Sequence, residues 1–222
     1  MLDFGNAGEG DWSDIIQKSI DTVDTVHIPA GRFRIDKQIN CPFNKTLICD
    51  GIVTFDGTVA FDGSSGLSVL NVGDISQENL PKLAGNLSKG DTKLIFQQPH
   101  GRNIGDIICL YNSLPYSWSI SREYYKAGEF CKIARIDNDT ELTLDTGLFD
   151  DYQTSEVDVY YKTMGYFNVV GCLEIILASD GSKRPFRSIT LNQIKDSVLQ
   201  IKAVATKKAY ARKYCYPKGK SA

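Results

Sequence analysis

Across residues 13–23, SDIIQKSIDTV, apolar side chains recur at Ile16, Ile20 and Val23, the i, i+4, i+7 spacing of one helix face. Asp11 or Ser13 stands where the first turn needs a cap. The pattern predicts one short amphipathic helix. The period then changes: in TVHIPAGRFRI, Val26 and Ile28 alternate with polar neighbours, Pro29-Ala30-Gly31 turns the chain, and Phe33 and Ile35 alternate again. That predicts strand, tight corner, strand.

From Gln38 to Val72 short apolar runs follow one another, TLIC, IVTF, TVAF and LSVL, each ended by an Asp-Gly, Gly-Ser or Asn-containing corner. Strands so short, with turns so close, fit the rungs of a solenoid or a meander of hairpins, and Asp-Gly serves both. From about Leu83 to Thr163 the alternation is more regular, with KLIF, DIICLY, EFCKIARI, ELTLDT and EVDVYY separated by SKGD, RNIGD, KAGE and DNDT. This texture predicts antiparallel strands around a core of Leu94, Phe96, Ile107, Cys109, Ile133, Ile136, Leu142 and Leu144. Afterwards FNVVGCLEIIL, RSITLNQIKD and SVLQIKAV read as rungs again, with Asn168 and Asn192 at corners.

The stretches DFGNAGEG, IIQKSID and VHIPAGRFRI together resemble the N-terminal part of the pectate-lyase-like superfamily of right-handed parallel β-helices, which includes many phage tailspike and tail-fibre proteins. Glu9 replaces the usual Asp, DWS stands where D-D-T is usual, and Phe33 replaces Tyr; the match covers about the first forty residues. The resemblance implies an all-β fold: a right-handed parallel β-helix with a short N-terminal capping helix and an inserted antiparallel β-domain. The expected division is 1–80 for the cap and first rungs, 81–165 for the insertion, and 166–222 for resumed rungs and a basic C-terminal tail. A lid is needed because an open solenoid end exposes apolar interior and unpaired backbone groups. In that family this block carries no catalytic residue.

Composition narrows the chemistry. A chain of 222 residues that is 42% hydrophobic and 23% charged buries a substantial core, and no apolar run approaches the length of a membrane span. Asp3, Glu9, Asp11 and Asp14 in the first twenty residues do not read as a signal peptide. Six scattered cysteines, Cys41, Cys49, Cys109, Cys131, Cys172 and Cys215, form no C-x-x-C pair and have no histidine nearby in sequence, which disfavours a zinc site. No metal and no cofactor are expected. Cys49, Cys109 and Cys172 lie in apolar runs and read as buried thiols of a protein made in a reducing cytoplasm. The net charge of −2 hides a basic end: beyond Asp196 there are seven Lys and Arg and no acid. A short tail without a recognisable motif reads as solvated chain rather than a nucleic-acid arm.

Glycosidic cleavage needs two carboxylates facing each other across the bond. Asp50, Asp56 and Asp62, each followed by Gly, repeat at a six-residue step, but Asp before Gly usually bonds its own turn, so they read first as corners. The candidate carbohydrate-binding stretch is YNSLPYSWSISREYY, with Tyr111, Tyr116, Trp118, Tyr124 and Tyr125 as stacking faces and Arg122 and Glu123 among them. The alternative role for these aromatics is packing the insertion onto the β-helix, as Trp12 would seal the lid. Catalytic residues are not assignable from the sequence. The resemblance implies a virion-tail protein, made in the host cytoplasm, that contacts bacterial surface polysaccharide and forms a homotrimer. It is either a depolymerase, by hydrolysis or elimination, or a non-catalytic adhesion or structural module or a fragment of a longer tail protein.

Overall fold

The computed structural model describes residues 10–58, 68–115, 126–178 and 187–206. The chain divides into two compact units, one formed by residues up to 73 and from 165 onward, the other by 74–164. No described helix is long and apolar enough to cross a membrane.

The first unit opens with α1 (Ser13–Thr22), followed by β1 (Thr25–Arg34), β2 (Ile39–Cys41), β3 (Lys45–Gly57) and β4 (Ser68–Gly73). Ile16 and Ile20 of α1 are completely buried, each burial stabilising the unit by about 2 kcal/mol. Asp11 organises the first turn, its Oδ1 accepting the Ser13 N–H at 2.9 Å and the Ser13 hydroxyl at 2.5 Å. Val23 leaves the expected stripe: it follows the helix in extended conformation and is 43% exposed. Trp12 packs edge-on against Phe33 at 5.3 Å, which closes the helix onto β1.

The second unit intervenes in sequence, carrying β5 (Gln77–Asn79), β6 (Lys93–Ile95), β7 (Ile107–Pro115), β8 (Lys126–Asn138), β9 (Glu141–Leu144) and β10 (Val157–Lys162). The first then resumes with β11 (Phe167–Ala178), β12 (Arg187–Asn192) and β13 (Leu199–Thr206).

Parallel pairing joins these into rungs. One sheet runs β1-β3-β11-β13 and a second runs β12-β4-β2, so β1 with β2, β3 with β4, and β11 with β12 are successive turns of a parallel β-helix. Register stacks like on like: Val26, Leu47 and Val169 form one inward column, and Phe33, Phe55 and Ile175 form another. An amide ladder ties the lid to the rungs. Gln17 exchanges two hydrogen bonds of 2.8 Å with the Asn40 backbone, Asn40 Oδ1 accepts from Asn71 at 3.2 Å, and Asn71 Oδ1 accepts from Asn192 at 3.1 Å. Asn192 thus ends β12 within the ladder, while Asn168 lies inside β11, its Oδ1 accepting the Val198 N–H at 2.9 Å.

The expected corners inside VHIPAGRFRI and CDGIVTF are bends in continuous strands. β1 shifts register between Pro29 and Gly31, and β3 runs unbroken through Gly51, whose φ of 116° only glycine adopts easily. β11 bends at Gly171, with φ of 93°, beside the same place. Parallel pairing on both sides holds the bent strands together, so the turn signal in the sequence is absorbed as a bulge. The bend also overturns one thiol assignment. Cys41, Cys49, Cys109 and Cys131 are buried, but Cys172, directly after Gly171, is exposed because the shift turns it out of the core.

The second unit is an antiparallel sheet of order β5-β10-β7-β8-β9-β6. Its core contains the expected Leu94, Phe96, Ile133, Leu142 and Leu144, with Ile136 packed against it. Ile107 and Cys109 do not belong to that core: Ile108 and Leu110 take its inward positions, while on the opposite face of β7 Ile107 is half-buried and Cys109 is buried apart from the cluster.

Candidate functional site

Two outward surfaces carry chemistry, one on each unit. On the first, the outer face of the long parallel sheet brings Arg32, Thr54, Glu174 and Lys202 into register across four strands. Arg32 donates through Nε and Nη2 to Asp56 Oδ2 at 2.7 and 2.5 Å, and Lys202 donates to Glu174 at 2.6 Å. Burial raises the Asp56 pKa, but hydrogen bonds from Thr58 and from the Arg32 guanidinium outweigh it and hold the carboxyl below its usual range. The Glu174 carboxylate raises the Lys202 ammonium.

A shallow groove of about 680 Å³ on this sheet is lined by Cys49, Ile52, Cys172, Gln200 and Lys202 and floored by Gly51 and Gly171. The glycines make it. A Cβ on Gly171 would stand 2.4 Å from the Cys49 carbonyl oxygen, and one on Gly51 would stand 2.9 Å from the Ala30 Cβ. Burial pushes the Cys49 thiol up to about 11, so it is a neutral, inert wall at physiological pH.

The three Asp-Gly aspartates separate. Asp56 lies in β3 and bonds both its local backbone, through the Thr58 N–H at 2.9 Å, and Arg32 of the neighbouring rung. Asp50 is exposed at the β3 bend, 3.5 Å from His27 Nδ1. Asp62 lies outside the described residues. Neither Asp50 nor Asp56 is a free-standing corner, because each faces a basic side chain of β1. Arg32, Glu174 and Lys202 escape a linear reading, since only the register of distant strands assembles them.

On the second unit, Tyr111 is the one candidate from the aromatic-rich stretch that is described; Tyr116, Trp118, Arg122, Glu123, Tyr124 and Tyr125 lie outside the described residues. Tyr111 stands on the outer face of β7, edge-on to Tyr160 at 6.1 Å. Register arranges that face in rows. Phe130, Cys109, Tyr160 and Asn79 form one, and Lys132, Ile107, Lys162 and Gln77 form the next. The Lys162 ammonium lies 5.5 Å from the Tyr160 ring centroid and donates to Gln77. Asp158, in register with Tyr111, bonds Lys82 at 2.6 Å. The sequence signal for Tyr160 and Lys162 was the YYK end of EVDVYYK, whose two adjacent tyrosines face opposite sides; Tyr161 turns inward under Arg102, 4.4 Å away.

No protein-family model matches the chain, and no curated protein matches it in sequence. Solved structures share its fold. The tailspike gp61 of Pseudomonas phage phi297 superposes with a TM-score of 0.68 at 21% identity, over 84% of this chain and 30% of that one. The tailspike gp49 of Pseudomonas phage LKA1 gives 0.62 at 22% identity, over 89% and 36%. Gp54, the tailspike of Acinetobacter baumannii bacteriophage AP22, solved in complex with A. baumannii capsular saccharide, gives 0.58 at 15% identity, over 88% and 34%. The chain has the fold of a phage tailspike and spans about a third of the length of those it matches.

Proposed function

We propose that this chain, built on the tailspike fold, is part of a phage tail and contacts bacterial surface polysaccharide. The observation that carries the reading is the outer face of the parallel sheet, where a groove crosses the rungs and is lined by Lys202 of the Lys202–Glu174 ion pair. Rungs repeat about every 4.7–4.9 Å, near the length of one pyranose ring, so a glycan laid across them meets charged groups from Arg32, Glu174 and Lys202 on three of the four strands. The bound saccharide of the AP22 tailspike supports the same class of ligand.

The reading is of contact rather than cleavage. Acid–base cleavage of a glycosidic bond requires one carboxyl kept protonated near neutral pH and a partner left ionised. Asp56 is held ionised by hydrogen bonds from Thr58 and Arg32, and Glu174 is engaged by Lys202, so neither is a carboxyl poised to give up a proton. Assembly as a homotrimer belongs to the same proposal; sedimentation reads it directly, a three-chain mass supporting it and a single-chain mass removing it.

Retention of the protein on immobilised capsular polysaccharide and O-antigen tests the proposal. Saturable retention is expected, weakened about tenfold by Lys202→Ala, which loses a charged hydrogen bond. Retention that is equal in Lys202→Ala would take the glycan away from this groove.

A further inference from the structure

We infer that the outer face of the antiparallel sheet is a second saccharide platform, selective for acidic sugars. This rests on the polysaccharide reading above and adds both a surface and a sugar class. The face has what a pyranose needs. Phe130 is 60% exposed in the row that also holds half-buried Tyr160, and half-buried Tyr111 stands edge-on to Tyr160, so this face presents one open ring and two partly open ones to the C–H face of a sugar. Such an apolar row on a sheet's solvent side is unusual unless something covers it.

The neighbouring row sets the charge. Lys132 and Lys162 lie on either side of Ile107, and among the described residues neither is bonded to a carboxylate; Lys162 holds only the neutral amide of Gln77. Asp158, the acid of this face in register with Tyr111, is neutralised by Lys82. Alternate residues on one face of a strand are separated by about 7 Å, so a ring stacked on Tyr160 directs a carboxylate at its C5 position toward the lysine row. A neutral sugar would stack equally well but bring no carboxylate to either ammonium group, and that difference is the source of selectivity.

The platform is tested by NMR titration of the tyrosine ring resonances with methyl glucuronide and, separately, methyl glucoside. Tyr160→Phe and Tyr111→Phe assign the two signals. The glucuronide is expected to shift both saturably and to bind at least fivefold more tightly than the glucoside. Lys132→Ala with Lys162→Ala, which removes only peripheral charge and leaves the core intact, is expected to abolish that preference while the rings still respond. Equal binding of the two sugars, rings that respond to neither, or a preference that survives loss of both lysines would overturn the platform. Polysaccharide retention of the same double variant separates the two ideas. Silent rings with retention intact remove the platform alone, whereas loss of retention by the unsubstituted protein removes the wider reading.

Discussion

Asp56 illustrates what a single residue does in this fold. Its neighbour Gly57 suggested a corner, and its side chain does bond the Thr58 N–H, but it also accepts from Arg32 one rung away. Removing the charge with Asp56→Asn is expected to cost about 1–2 kcal/mol, modest for a charge-assisted hydrogen bond because Arg32 is largely exposed. The pH dependence has a definite sign. The folded-state pKa lies below the unfolded value, so the carboxylate stabilises the fold above about pH 4, and that contribution is lost as pH falls through the lowered folded value. Urea titrations of both proteins at a series of pH values check this: their stabilities should converge in acid, and a gap that persists unchanged to pH 2 would argue against it. What the sequence could not show here is the partner, because Arg32 and Asp56 meet only once β1 and β3 are set in register.

Elements were more legible than residues, with informative exceptions. The change from helical to alternating periodicity placed α1 and β1 correctly, since the lid helix must bury Ile16 and Ile20 whatever follows. Strand phase in β7 was misread. Ile107, Ile108, Cys109 and Leu110 are all apolar, so alternation gives no preference; the polar-edged Tyr111 held the clue that odd positions lie on the face opposite the core cluster. The bends at Gly31 and Gly51 were read as turns because a local signal cannot tell a hairpin from a bulge held by parallel neighbours, and the bend at Gly171 was read as plain strand. At Gly171 a side chain is refused both by a φ of 93° and by the Cys49 carbonyl. Gly171→Ala is therefore expected to destabilise the protein by at least about 2 kcal/mol, seen as a lower thermal midpoint. An unchanged midpoint would mean the bend is not required for stacking the rungs. The same substitution at Gly90, where no atom lies within 4 Å of a Cβ, is the control for φ strain alone.

For the molecule as a whole, the class of fold was readable from three N-terminal stretches because a solenoid needs a lid and a lid has a recognisable helix-strand pattern. The antiparallel insertion was readable from its texture. The two proposed binding surfaces were not, since both are built across strands distant in sequence: Arg32 with Glu174 and Lys202 on one sheet, Tyr111 with Phe130 and Tyr160 on the other. A polysaccharide that spans several sugar units suits surfaces of this kind, which offer repeated modest contacts in place of one deep pocket. The measurement that bears most directly on the central claim is incubation of the protein with purified capsular polysaccharide while recording saturable binding, reducing-end release and absorbance near 235 nm together. Binding with neither product signal is the predicted result. A steady rise in reducing ends or in 235 nm absorbance would make the protein a depolymerase, and no binding to any surface polysaccharide would contradict the account.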